Sequence, residues 1–276
     1  MLAGIEMDLL YKKYETLKEY LGSLRNLAVA FSGGVDSTFL LKVAHEVLGE
    51  DVVAITARSI SFPKRELDEA VAFALANDIK HIIFDSGEFN IEGFSQNPLN
   101  RCYLCKKEIF SMMSDIAKAH GLKYIAEASN MDDNKDYRPG HKAIAELGIK
   151  SPLREAGLSK SEIRRLSKKL GLPTWDKPSF ACLYSRFSYG EELTQEKLNM
   201  VGEAEQFLID SGFHQVRVRY HGDVARIEIT KEDFRPFLEE SMRKKINDKL
   251  RDLGFTYVAL DLIGYRTGSM NETLNL

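Results

Sequence analysis

One stretch near the amino terminus, Ala28-Val29-Ala30-Phe31-Ser32-Gly33-Gly34-Val35-Asp36-Ser37, limits what this chain can fold into more than any other. A short apolar run breaks into a Ser/Gly loop, and Ser37 opens the amphipathic segment Thr38 to Leu48. The pattern predicts a buried strand that ends here and a helix that begins. Gly33 and Gly34 can both take positive φ and carry no side chain. Successive backbone N–H groups are therefore expected to close on a phosphate at the positive end of the helix. Ser32 and Ser37 add hydroxyl donors, and Asp36 can hold a Mg²⁺ that neutralises the phosphates. No Lys follows the glycines, so this is not G-x-x-x-x-G-K-[ST], and the spacing is not that of G-x-G-x-x-G. The bland alternative is an ordinary Gly-rich turn between a strand and a helix.

The rest of the amino-terminal half repeats the alternation. Glu6 to Leu21 reads as a packing helix, Asp51 to Thr56 as a buried strand, Pro63 to Ala76 as a helix, and His81 to Asp85 as a further strand. Strands that alternate with helices imply a doubly wound α/β fold, a parallel sheet covered on both faces. In such sheets the ligand lies beyond the carboxyl ends of the strands, which puts Ser32 to Ser37, Ala57 to Phe62 and Asp85 to Gly87 on one rim. Arg58, with Ala57 and Ser59, is then a candidate for part of the ligand pocket on that rim, and a solvated loop is the competing reading.

After a lapse of pattern between Glu88 and Arg101, Cys102-Tyr103-Leu104-Cys105 begins a strongly helical stretch running to His120. If the helix has started by Cys102, the two sulfurs at i and i+3 share one face within reach of one metal centre. Lys123 to Glu127 reads as a strand. It leads into a polar loop from Ser129 to Gly140, where Asn130, Asp133 and Arg138 are candidates on the same rim. Ser151 to Leu153 is predicted as a short strand, and Lys160 to Leu170 as a helix capped by Ser159.

Beyond Gly190 the pattern changes. Leu193 to Ser211 is helical, and Gln215 to Thr230 is a hairpin turning at Gly222-Asp223. Counting back from that turn sets Arg219 opposite Arg226 and Arg217 opposite Glu228, with Val216, Val218, Tyr220, Ala225, Ile227 and Ile229 on the other face. An Arg pair directly opposed implies a compensating anion or an acidic neighbour. Glu232 to Leu253 is predicted as one helix and Tyr257 to Ile263 as a strand, in a small α/β unit followed by Arg266. The domain boundaries are set at 1–175 for the nucleotide domain, 176–190 for a cysteine-bearing connection and 191–276 for the smaller α/β domain. The substrate is expected between the two.

Composition narrows the function. A net charge of −3 disfavours bulk binding of nucleic acid. The chain shows neither a secretory leader nor a long uncharged apolar run, so a cytoplasmic protein without membrane association is expected. Three cysteines in a reducing compartment make a disulfide framework a poor explanation for them.

The loop resembles the pyrophosphate loop of the N-type ATP pyrophosphatases, which form adenylates from ATP. Together with Asn130-Met131-Asp132-Asp133, Asp136-Tyr137-Arg138-Pro139-Gly140, and Cys182-Leu183-Tyr184-Ser185-Arg186-Phe187-Ser188-Tyr189-Gly190, it resembles the LarE family. That similarity extends to Gly264-Tyr265-Arg266-Thr267-Gly268-Ser269-Met270-Asn271. It implies an adenine nucleotide alpha hydrolase-like fold, ATP and Mg²⁺ as cofactors, and a pyridinium mononucleotide that is adenylated on a carboxylate and then receives sulfur. The donor of that sulfur is left open, and a homo-oligomer is expected. Arg217, Arg219 and Arg266 are the implied site for the substrate's phosphate or carboxylates, with Glu205 a further functional carboxylate and Asp233 a weaker one.

Where members with a sacrificial cysteine carry it, this chain has Ala181, with Cys182 next and Cys102 and Cys105 in addition. The resemblance is thus to a three-cysteine subgroup associated with a [4Fe-4S] cluster. Three thiolates leave one iron open, which suits sulfur chemistry, whereas structural zinc wants a fourth ligand that no suitably spaced His supplies. Sacrificial or persulfide transfer from Cys182, with Arg186 favouring its thiolate, stays open as an alternative, as do zinc and inert core cysteines. The competing functions are a tRNA-thiolating enzyme, an ammonia-using synthetase and a nucleotide-binding regulator.

Overall fold

The computed structural model describes residues 2–135 and 140–272, with side chains from residue 7 onward except at 134 and 135. Arg138, with the rest of 136–139, lies outside the described residues. The chain divides into two compact units: Met1–Ile91 with Asn100–Ser179, and Glu92–Leu99 with Phe180–Leu276.

The first unit comprises α1 (Leu2–Leu24), β1 (Leu27–Ala30), α2 (Val35–Leu48), β2 (Val52–Arg58), α3 (Lys64–Ala76) and β3 (Lys80–Asp85), then α4 (Arg101–Ala119), β4 (Tyr124–Ala126), α5 (Gly140–Glu146), α6 (Pro152–Glu155) and α7 (Lys160–Lys169). Its four strands are all parallel, in the order β3-β2-β1-β4. Side chains alternate across the pleat. Leu27, Val29, Val52 and Ala54 pack with α1, α2 and α7 on one face, while Ala28, Val53, Ile55 and Ile125 pack with α4 and α5 on the other. The sheet is therefore wound on both sides, as the alternation of strands and helices implies. Strand order reverses between β1 and β4, and that switch point is where an open parallel sheet leaves a crevice at its carboxyl edge.

Two local expectations need correction. The helix after β1 starts at Val35, ahead of Ser37. Residues 151–153 form no strand, because Pro152 has no N–H for a ladder and instead opens α6 at its first helical position. The strand contact falls one residue earlier, as a parallel bridge between Ala126 and Lys150.

The second unit holds α8 (Gln195–Asp210), β5 (Val216–His221), β6 (Val224–Ile229), α9 (Phe234–Phe237), α10 (Glu240–Asp252) and β7 (Tyr257–Leu260). β5 and β6 are antiparallel in the register counted from the turn, with Arg219 opposite Arg226 and Arg217 opposite Glu228, and β7 joins β6 in parallel. The single helix expected over 232–253 is broken. Pro236 cannot donate a hydrogen bond and sits in the first turn of α9, and Glu239 is extended (φ −56°, ψ 137°) before α10 starts. β7 stops short of Ile263 because the carboxylate of Asp261 accepts the N–H groups of Ile263 (2.9 Å) and Gly264 (3.2 Å) and turns the chain.

The excursion 92–99 is built into this second unit. Phe94 is fully buried, edge-on to Tyr184 at 5.2 Å. Asn97 takes a left-handed backbone (φ 51°) that Asn tolerates, and its amide donates to the carbonyl of Ser188 at 2.6 Å. The N–H groups of Gly190 and Leu193 donate to Asn97 and Ser95. Among the described residues no helix is long and apolar enough to cross a membrane.

Candidate active site

The loop after β1 turns at a glycine and leads directly into α2. Gly33 is left-handed (φ 67°), and a Cβ there would sit 3.2 Å from both the Ala70 Cβ and the Glu66 carbonyl of α3. Conformation and space both demand glycine. Gly34 does not share that role: at φ −80° and ψ 170° it is the extended N-cap of α2, so only one of the two glycines uses positive φ. The Gly34 carbonyl accepts the Thr38 N–H at 2.9 Å, and the first-turn N–H groups of α2 have no acceptor inside the helix. Ser32 and Ser37 are linked Oγ to Oγ at 3.0 Å, and Ser37 Oγ also donates to the Gly34 carbonyl. Behind the loop Thr56 donates to the Phe31 carbonyl at 2.6 Å. Its hydroxyl hydrogen is thereby committed, so His81 Nε2, 2.7 Å away, is the protonated nitrogen.

Asp36 lies in the first turn of α2. Lys160 Nζ reaches its Oδ2 at 2.7 Å and Asn130 Nδ2 donates to the same oxygen at 3.3 Å. Among the described residues Asp36 Oδ1 is a buried oxygen with no hydrogen-bond partner. Burial pushes the Asp36 carboxyl above its ordinary range and the charge of Asp133 adds to this, against the opposing pull of Lys160 and Asn130. An orphaned carboxylate oxygen beside a second acid fits a hard divalent cation.

Asn130 and Asp133 are tied together by local hydrogen bonds. The Asn130 side chain accepts the Asp132 N–H at 2.9 Å, and its own N–H donates to Asp133 at 2.9 Å. Glu127, at the end of β4, accepts from both the N–H and the hydroxyl of Ser129 and from the hydroxyl of Ser151. Arg58 stands apart from this group. It is exposed and forms a two-pronged pair with Asp85 at 2.5 and 2.7 Å, which raises the pKa of the guanidinium and lowers that of the acid.

Two residues of the first unit went unnoticed in the sequence. Lys160 reads there only as the start of a helix, and Lys177 as part of a linker. In the structure Lys177 Nζ contacts Glu66 (2.7 Å), Glu69 (2.6 Å) and the Gly33 carbonyl (3.1 Å). These contacts of Lys160 and Lys177 are long-range in sequence, and no local pattern announces them.

The second unit is organised around buried arginines. Arg186 is fully buried and grips Glu205 with two prongs of 2.8 Å, while its third nitrogen donates to the Ala181 carbonyl (2.9 Å) and Ser185 Oγ (2.8 Å). Glu205 Oε1 also accepts the Val218 N–H at 2.9 Å. Burial alone would raise the Glu205 pKa, but Arg186 holds it below the ordinary value. Glu205 is thus a clamp on Arg186 and on β5. Arg217 is buried against the rings of Phe180 and Tyr265. Burial first, then repulsion from Arg186, lowers its pKa to about 10.

The compensating acid for the Arg219–Arg226 pair is Glu228, reached by Arg219 at 2.7 Å and by Arg226 at 2.8 Å; Ser269 also donates to it. The guanidinium face of the hairpin is buried, because Arg217, Arg219 and Glu228 are all closed to solvent. Arg266 is held by Glu272 and Asp261, and Asp233 accepts the hydroxyl of Thr230.

Cys102 and Cys105 both lie within α4, so they share a helix face; Cys182 lies in the second unit, and none of the three forms a disulfide. Among the described residues no three His, Cys, Asp or Glu side chains form a group that could hold a metal ion.

A parallel sheet with a Ser/Gly loop at its switch point, and an acid on the helix that follows, defines an ATP-using enzyme of the N-type ATP pyrophosphatase class. The glutamine-hydrolysing GMP synthase of Thermotoga petrophila, 23% identical over 224 residues, aligns with 74% of this chain and 44% of its own length. Similarity is greater with an uncharacterised protein of Synechocystis, 44% identical over 266 residues (96% of this chain, 99% of the relative). The pyridinium-3,5-bisthiocarboxylic acid mononucleotide synthase of Lactiplantibacillus plantarum is 40% identical over 271 residues, 97% of each chain. The chain belongs to the LarE family. No family model matches it.

Proposed function

We propose that the enzyme converts a ring carboxylate of a pyridinium mononucleotide into a thiocarboxylate in an AMP-forming, ATP-dependent reaction. The observation that carries this reading is 40% identity over 97% of both chains to a synthase named for a bisthiocarboxylated pyridinium mononucleotide.

In this reading Ser32, Gly33, Gly34 and Ser37 hold the β- and γ-phosphates, and Asp36 with Asn130 and Asp133 supports a Mg²⁺ that neutralises them. Arg58 and Arg138 complete the nucleotide site. The substrate carboxylate attacks the α-phosphorus, the bond to the β-phosphate oxygen breaks, and pyrophosphate leaves. A sulfur nucleophile then adds to the acyl carbon and AMP departs with the oxygen it carries. Arg217, Arg219 and Arg266 receive the substrate's phosphate and carboxylates. Arg217 is the strongest of the three, because a cation whose pKa has been drawn down to about 10 gains most from an incoming anion. Arg186 acts beside Cys182, with Glu205 as the clamp that keeps it there.

Cys102, Cys105 and Cys182 are assigned to one [4Fe-4S] cluster. Their donor chemistry fits, since all are thiols outside any disulfide and two share a helix face. Such a cluster, when bound, supplies one iron without a protein ligand, able to carry sulfide. A second reading, in which Cys182 gives up its own sulfur, is favoured by the electrostatic coupling of Arg186 to that residue. The enzyme is placed in the cytoplasm, where such thiols stay reduced.

The test is incubation of anaerobic protein with MgATP, sulfide and the pyridinium dicarboxylate mononucleotide. AMP, pyrophosphate and a thiocarboxylate are expected. Release of ADP and phosphate overturns the adenylation step, and dehydroalanine at Cys182 after turnover favours the second reading.

A further inference from the structure

The geometry points to Lys160 as an internal counter-ion that occupies Asp36 while the site is empty and hands its ammonium to the phosphates when a metal–nucleotide arrives. The inference rests on the ATP reading above and adds an order to it: metal enters with the nucleotide, not before.

The bonds on Asp36 are lopsided. Lys160 and Asn130 both use Oδ2, and Oδ1 has no partner among the described residues. The free oxygen is the one a metal needs. An ammonium 2.7 Å from its twin, however, already supplies the positive charge that would draw a dication in. Asn130 links the two acids of the site, its side-chain amide donating to Asp36 and its backbone N–H to Asp133. Lys160 therefore meets the charge of Asp36 and makes the site unattractive to metal alone.

The anchorage of Lys160 allows the exchange. Its backbone is fixed: Ser159 and Glu162 form a reciprocal cap on α7, and the Lys160 N–H donates to Asp132 at 2.8 Å. Its side chain is 30% exposed and turns on a flexible four-carbon stem. Asp36 belongs to the same helical turn whose N–H groups form the anion cradle, so a phosphate there lies within a short swing of the ammonium. Arrival of Mg²⁺ with ATP supplies both halves of the trade: two positive charges for Asp36 and a negative partner for Lys160.

The experiment measures binding of Mn²⁺ alone to the full chain, without nucleotide, by the loss of the aquo-ion electron paramagnetic resonance signal. It compares wild type, Lys160→Met, Lys160→Arg and the double variant Asp36→Asn/Lys160→Met. Lys160→Met is expected to bind Mn²⁺ about tenfold more tightly than wild type, the scale of removing one unit charge beside a partly buried carboxylate. Lys160→Arg should behave as wild type, and the double variant should lose the gain. A second arm measures a non-hydrolysable ATP analogue at saturating Mg²⁺, whose affinity Lys160→Met should weaken by roughly tenfold through loss of a charge-assisted phosphate contact.

Unchanged Mn²⁺ affinity in Lys160→Met overturns the inference. Tighter Mn²⁺ with undiminished analogue binding overturns the hand-over. Failure of wild type to bind the analogue at all strikes the ATP reading, and the metal-only arm still judges Lys160. Circular dichroism confirms the fold of each variant.

Discussion

Replacing Glu205 with glutamine should loosen the second unit and leave the first as it is. The pair it breaks is almost wholly closed to solvent, with Arg186 at 0% and Glu205 at 3% exposure, joined by two bonds of 2.8 Å. Removing one partner of such a pair strands the other charge in a medium that cannot solvate it, which costs about 3–5 kcal/mol. The amide also presents an NH₂ group where two donors now converge. With a urea m-value of roughly 1.5 kcal/mol/M for a unit of this size, the second unit's midpoint should fall by about 2–3 M.

The chain provides its own control, because its one tryptophan, Trp175, lies in the first unit. Far-ultraviolet circular dichroism should show an early transition in Glu205→Gln, while tryptophan fluorescence keeps the wild-type midpoint. The double variant Arg186→Met/Glu205→Gln should recover part of the loss, since it no longer buries an uncompensated charge. The effect also carries a pH signature. Glu205 has a folded-state pKa below its ordinary 4.5. Its contribution is therefore complete above that value and disappears as pH falls through the lower folded pKa. Wild type and Glu205→Gln should converge in stability in acid. A midpoint shift below about 0.5 M by both probes would refute the idea that this pair organises the second unit.

Gly33→Ala meets a left-handed backbone and an α3 carbonyl 3.2 Å from its new methyl; a loss of about 1–2 kcal/mol is expected in chemical denaturation, with a larger fall in ATP affinity by calorimetry. Asp36→Ala should abolish AMP formation while the circular dichroism spectrum is retained, and persistent AMP production would remove Asp36 from the reaction. Arg217→Ala should weaken binding of the pyridinium mononucleotide by roughly 1.5–3 kcal/mol, the range for a charged hydrogen bond, with ATP affinity unchanged; equal losses for both ligands would argue against a substrate-specific role. Serine at Cys102, Cys105 or Cys182 should cut iron and sulfide bound after anaerobic reconstitution while AMP formation continues, and full iron content in all three would withdraw the cluster.

What the sequence made legible is what local chemistry decides. The Ser/Gly loop, the alternation of strands and helices, the Ser159 cap and the hairpin register are each governed by residues a few positions apart, and each is found in the structure. Proline misled where position within an element mattered: Pro152 starts a helix, and Pro236 confines α9 to a short segment. The environment of the hairpin arginines was legible only as a question, an anion or an acid. The acid is Glu228, diagonal to Arg219 across the ladder, with Asp261 and Ser269 brought in from the carboxyl-terminal segment. Lys160 on Asp36 and Lys177 on the phosphate loop are contacts more than a hundred residues apart in the chain. Spacing rules carry no information at that range.

The excursion 92–99 bears on how such an enzyme can be made and altered. Because the second unit takes Phe94 and Asn97 from between β3 and α4, its core stays incomplete until the ribosome has delivered residues on both sides of the whole intervening α/β segment. A gene fragment that encodes 180–276 alone leaves the Phe94 site against Tyr184 vacant, and one that stops at 179 exposes Phe94 to water. Neither unit is a portable cassette. Recombination that exchanges one without the other must preserve an eight-residue graft inside its neighbour's coding sequence, which ties the two halves into a single unit of inheritance.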